Sequence, residues 1–71
     1  MKMTPVVSSN IKAIGYEEGT LRIEFLHGVS YDYRNVPEQV AKDFFEVESK
    51  GSFFHRKIRD KYSALRVSED G

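Results

Sequence analysis

Residues 29–37 read VSYDYRNVP and contain the two features that decide the fold, a strand and the start of a helix. Val29, Tyr31 and Tyr33 alternate with polar residues, as expected for a strand with one buried face and one solvent-exposed face. The opposite face carries only polar side chains, which belong in solvent: Ser30, Asp32 and Arg34. We therefore expect Tyr31 and Tyr33 to face a core and not to form an open stacking platform.

Two further strands precede this one. Leu21, Ile23 and Phe25 alternate with polar residues and form the cleanest half-buried strand, and residues 11–16 also alternate. The segments between the strands, EEGT at 17–20 and HG at 27–28, have the composition of tight turns. Three strands joined by such turns predict an antiparallel meander.

The register of the first strand has two solutions. The side that faces the helices carries either Ile11, Ala13 and Gly15 or Lys12, Ile14 and Tyr16. Lys12 prefers solvent, which favours the first set and leaves Ile14 and Tyr16 on the open face of the sheet.

Two amphipathic helices are predicted after the strands. Pro37 and Glu38 are typical of a first helical turn, and the apolar residues as far as Ser49 fall in one arc. Lys50–Gly51 is typical of a helix end. Ser52 can cap a second helix running to about residue 62, whose apolar stripe is Phe54, Ile58, Tyr62 and Leu65.

These elements predict an α+β fold, a three-stranded antiparallel meander followed by two helices on one sheet face, in the order β-β-β-α-α. The helices can bury their apolar sides only in that way. We expect five aromatic side chains to be largely buried: Phe25, Tyr31, Tyr33, Phe44 and Phe54.

Length and composition predict one domain spanning residues 1–71, ordered over about 6–65, with residues 1–5 and 67–71 frayed. Eleven basic and eleven acidic residues cancel, which argues against a binder of polyanions that relies on overall charge. No cysteine and only two histidines argue against disulfides and a metal site, and no apolar run is long enough for a membrane span. We expect a cytoplasmic protein without a cofactor.

In order and spacing, several motifs resemble the KTSC domain, a family named for the C-terminal domain of some lysyl-tRNA synthetases that also occurs as a free-standing protein. The similarity runs from about residue 5 to residue 62, and its most specific part is YxYxxVP at 31–37, followed by SKGxFF at 49–54 and IRxKY at 58–62. SSNI at 8–11 and GY at 15–16 also match. The resemblance suggests RNA binding, because the family accompanies a tRNA-charging enzyme.

The segment FFHRKIRDKY at 53–62 is the best candidate for RNA binding, since it combines four Lys or Arg residues with a histidine and three aromatics. Cations on one surface contact phosphates, and flat side chains stack on unpaired bases. The alternative is a solvated helix face with an Arg56–Asp60 pair. The candidate RNA-binding residues are Lys50, His55, Arg56, Lys57, Arg59 and Lys61.

No arrangement of catalytic residues has motif spacing, so we expect a non-enzymatic binding module. The alternative to RNA is a protein partner, either a larger protein or a second copy, docked on the open sheet face. In the favoured register this face carries three apolar residues that would form the contact patch: Ile14, Tyr16 and Leu26.

Overall fold

The computed structural model describes residues 1–67 and contains a five-stranded antiparallel sheet with strands side by side in chain order. The strands are β1 (Thr4–Pro5), β2 (Ile11–Glu17), β3 (Thr20–Phe25), β4 (Ser30–Tyr33) and β5 (Ala64–Val67). Between β4 and β5 lie α1 (Glu38–Glu46), α2 (Lys50–Phe53) and a π-helical segment, Phe54–Ile58, that continues α2. None of these helices has the length and apolar composition needed to cross a membrane.

The predicted three-stranded order β-β-β-α-α is wrong, because a strand is added at each edge. The second helix ends at Ile58, and after a turn the Arg34 N–H donates to the Ser63 carbonyl (3.0 Å), which starts the pairing of β5 with β4. Without β5, the backbone groups along that edge of β4 would have no strand partner. Leu65 therefore belongs to a strand and not to the helical stripe.

The ends of the chain carry the added strands. Thr4 and Pro5, within the stretch predicted to fray, pair with Ile14 and Ala13. Of the residues predicted to fray at the other end, Val67 belongs to β5 and residues 68–71 lie outside the described part of the chain.

A β-bulge in β2 corrects the predicted register. Ile11 lies opposite Phe25, but after the irregularity between Ile11 and Ala13, Ile14 lies opposite Ile23. Because a bulge adds one residue to one strand, the side chains beyond it change face. Ile11, Ile14 and Tyr16 therefore all lie on the helix side, and neither unbroken alternation is correct.

The helices cover one face of the sheet, and aromatic side chains fill the space between them. Phe44 of α1 is completely buried and stacks on Phe53 (ring centroids 5.4 Å apart). Phe54 makes edge contacts with Phe25 and Tyr33 at 5.5 and 5.7 Å. The predicted burial is confirmed for these four predicted aromatics: Phe25, Tyr33, Phe44 and Phe54. The fifth, Tyr31, is half-buried and lies edge-on to Phe25.

The other face of the sheet is charged and internally paired. Arg22 donates to both carboxylate oxygens of Asp32 across β3 and β4, at 2.7 and 3.0 Å, and this bonding raises the pKa of Arg22 above its usual value. At Gly15 the N-terminal residues cross this face, and a Cβ there would lie 2.8 Å from the carbonyl oxygen of Lys2. A glycine at position 15 is what permits this close approach.

The buried Tyr33 predicts a pH dependence of stability. Burial, with a smaller effect of Tyr31, raises the pKa of Tyr33 above its ordinary value of about 10, so the unfolded chain loses this proton at lower pH. The free energy of unfolding should therefore be unaffected by Tyr33 below about pH 10 and fall as pH rises towards its folded-state pKa. Urea unfolding across this range should show a smaller fall for Tyr33→Phe. Equal falls in the two proteins would contradict the assignment.

Candidate nucleic-acid interface

The π-helical segment is anchored on its inner side and exposed on its outer side. Phe54 and Ile58 are buried, and the Arg59 N–H donates to the Phe54 carbonyl (2.9 Å), the five-residue spacing of a π-helix. Such turns are rare and occur frequently at functional sites. His55, Arg56 and Arg59 remain exposed.

The exposed side chains of this segment bond mainly to neutral partners. Arg59 Nη1 lies 3.0 Å from His55 Nδ1, and because a guanidinium only donates, His55 Nδ1 is the acceptor of this bond. Arg56 Nε donates to Ser52 Oγ (3.3 Å). Asp60 lies 3.9 Å from Arg59 Nε, so among the described residues its ion pair is with Arg59 and not with Arg56. Both guanidinium groups keep further donors for a ligand.

Of the other three predicted cations, Lys50 is a neighbour of Ser52 and His55 but its ammonium is engaged, and Lys57 and Lys61 lie elsewhere. The Lys50 ammonium donates to the carbonyl oxygens of Phe45 (3.2 Å) and Val47 at the end of α1. Lys50 therefore satisfies a helix end. Lys57 and Lys61 line a separate hollow, between α1 and the π-helical segment, that also contains Asp43. The six predicted residues thus do not form one surface.

A polar cleft of about 400 Å³ adjoins the exposed side of the π-helical segment. Asn10, on the loop before β2, meets Gly51 there: a Cβ on Gly51 would lie 3.2 Å from Asn10 Oδ1, which also accepts from Ser8 Oγ (3.2 Å). Hydroxyl, amide and imidazole groups from both sides line the cleft: Ser8, Ser9, Asn10, Ser49, Ser52 and His55. Glu48 and Lys50 add one carboxylate and one ammonium group to this lining. The sequence showed these residues only as two separate motifs, and the fold brings them together.

The predicted contact patch on the open sheet face is not formed. Ile14 is completely buried, and the Tyr16 hydroxyl donates to the Val36 carbonyl (2.6 Å) on the helix side. Leu26 is 55% exposed and lies beyond β3 near the turn, without the other two. The bulge in β2 is the physical reason, because it turns Ile14 and Tyr16 to the core.

The described residues show two further features that bear on ligands. Arg66 lies on β5 opposite Tyr31 and was missed because its neighbours were assigned to a helix and a frayed end. Within residues 1–67, no three His, Cys, Asp or Glu side chains come together as a metal site would require.

Comparison with known proteins finds relatives along almost the whole chain. The model of the KTSC domain matches residues 7–62. A protein of Tsukamurella paurometabola is 37% identical over 67 residues, covering 92% of this chain and all of the relative. The lysine–tRNA ligase of Nostoc punctiforme is 39% identical over 62 residues, which are 84% of this chain but 11% of the ligase. The crystal structure of a KTSC domain protein from Yersinia pestis has a TM-score of 0.88 and 36% identity, covering 94% of this chain and 97% of that one.

Proposed function

The chain belongs to the KTSC domain family, and we propose that it is an RNA-binding module that holds the RNA backbone on the exposed side of its π-helical segment. We call this side the π-segment surface and define it as Ser52, His55, Arg56 and Arg59. The observation that carries the proposal is the bonding of its two arginines. Each engages a neutral side chain at hydrogen-bond distance, and the ion pair of Arg59 with Asp60 is long, at 3.9 Å between exposed side chains, so both guanidinium groups can still donate to a phosphate. Guanidinium groups in this state form charge-assisted hydrogen bonds to phosphate.

The π-segment surface is continuous, which supports its use by one ligand. Arg59 contacts His55, Arg56 contacts Ser52, and His55 and Ser52 line the same polar cleft. A backbone phosphate at the arginines would place the adjoining ribose near the hydroxyl and amide groups of the cleft.

RNA as the partner is also supported by the kind of protein in which a similar segment occurs. A segment similar to this chain occupies 11% of the lysine–tRNA ligase of Nostoc punctiforme, an enzyme whose name makes tRNA its substrate. The outer sheet face gives less support to the alternative, a docked protein, because its charges are already paired with each other. Arg22 with Asp32 and Lys12 with Glu24 are such pairs.

Because the formal net charge is zero, RNA binding should depend on the few cations of the π-segment surface. It should therefore weaken as the salt concentration rises. Each phosphate contact on a single strand contributes about 0.7 to the slope of log affinity against log salt concentration, so two or three contacts give a slope of about −1.4 to −2.

The test is a titration of labelled tRNA and of unstructured RNA with the protein, at salt concentrations from about 20 to 200 mM. We expect saturable binding at low salt that weakens along this slope. No binding of either RNA at the lowest salt, where charges are least screened, would contradict the proposed function.

A further inference from the structure

His27, in the turn between β3 and β4, has a ring placed for stacking. It lies almost parallel to the Phe25 ring, at an interplanar angle of 13° with centroids 5.7 Å apart, while the residue itself is exposed. Two backbone bonds fix the turn: the Phe25 N–H donates to the Val29 carbonyl (2.9 Å), and the Gly28 N–H to the Phe25 carbonyl (3.0 Å). The imidazole therefore lies parallel to a buried ring but offset from it, and the exposed position of the residue leaves it accessible to a second planar group.

His27 is connected to the π-segment surface by a row of ring contacts. The Phe25 and Phe54 centroids are 5.5 Å apart, and Phe54 is 5.6 Å from His55. A second connection runs through the backbone, since the Leu26 N–H donates to the carbonyl of Asn10, which lines the same cleft as His55. Ring contacts and a backbone hydrogen bond therefore connect the turn of His27 to the segment that carries the arginines.

From this juxtaposition we propose that the RNA bound at the π-segment surface is single-stranded and that one unpaired base stacks on His27. The inference rests on the proposed function and adds the class of RNA. Inside a duplex both faces of a base are covered by its neighbours, so an internal base must be unpaired before a protein ring can stack on it. A pocket for the base is not required, because stacking uses the π-face that every base has.

The exposed position of His27 favours a binding role over a structural one. Phe25 and Phe54 already contact each other, and each makes an edge contact with one tyrosine, Phe25 with Tyr31 and Phe54 with Tyr33. Removing a surface imidazole should therefore leave the fold intact, which makes His27 suitable for mutation.

The experiment compares an unstructured RNA of about 12 nucleotides with a duplex of the same length, for the wild type, His27→Ala and His27→Tyr. We expect the single strand to bind at least about tenfold more tightly, and His27→Ala to lose about fivefold to 100-fold of that affinity. His27→Tyr, which keeps a ring but not the imidazole, should bind like the wild type. Leu26→Ser, at an exposed neighbour, is the matched control and should leave binding unchanged.

The outcomes separate this inference from the proposed function. Wild-type affinity for His27→Ala, or equal affinity for duplex and single strand, would overturn the stacking inference while RNA binding stood. Absence of all RNA binding would overturn both.

A direct readout is available because the chain has no tryptophan: His27→Trp introduces one, and we expect RNA to quench its fluorescence. Unchanged fluorescence at saturating RNA would contradict stacking at this position.

Discussion

Phe44→Ala should lower the free energy of unfolding by about 3–5 kcal/mol, the usual cost of removing a fully buried phenylalanine. Phe44 is completely buried and stacks on Phe53, so it joins α1 to α2. The loss includes the burial of the ring and the cavity that remains. Because the total stability of a domain is only about 5–15 kcal/mol, and a domain of this size lies at the low end, the variant is expected to be largely or completely unfolded at 37 °C.

Urea and thermal unfolding followed by circular dichroism measure this effect. Phe45→Ala is the matched control, since the same substitution on the next residue of α1 removes a half-buried ring and should cost clearly less. A loss below about 1 kcal/mol for Phe44→Ala would contradict the packing described, because surface substitutions are within about 0.5 kcal/mol of neutral.

Arg56→Glu combined with Arg59→Glu should weaken RNA binding by at least tenfold at low salt and leave the fold intact. Both side chains are exposed, and each change replaces a phosphate donor with a group that repels phosphate. The slope of log affinity against log salt should also become shallower, by about 0.7 for each lost contact. Fluorescence anisotropy with labelled single-stranded RNA measures both quantities.

The control for this double variant carries the same change of charge at two exposed residues elsewhere, Arg34→Glu with Lys42→Glu. We expect it to bind RNA nearly as well as the wild type, with only the small loss that a change in net charge produces. Equal weakening by the two double variants would mean that total charge, and not the π-segment surface, determines binding.

The parts of the fold that the sequence predicted depend on local patterns. The alternation in residues 20–25 and 30–33 predicted two strands and a polar outer face, because side chains of a strand alternate between faces whatever surrounds it. The edge strands left no such pattern. β1 has two residues, one of them a proline, and in β5 Leu65 also fits a helical stripe with Phe54, Ile58 and Tyr62.

The remaining differences come from tertiary packing. The bulge in β2 lets Ile11 and Ile14 both reach the core and makes the pairing with β3 irregular at one position. No residue type at positions 11–13 indicates this bulge in the sequence. Phe53 and Phe54 are both buried where α2 meets the π-helical segment, whereas the predicted helical stripe contained only Phe54. The polar cleft joins residues about 40 positions apart, so only the folded chain brings them together.

The central claim is that RNA lies on the π-segment surface, and amide chemical shifts recorded by NMR during titration with single-stranded RNA test it most directly. We predict that the largest shifts occur at Ser52, His55, Arg56 and Arg59, with a further group around His27 in the turn after β3. The amides of Arg22 and Asp32 on the outer sheet face should change little. Saturable RNA binding with the largest shifts on that outer face, and none in the π-helical segment, would contradict the account.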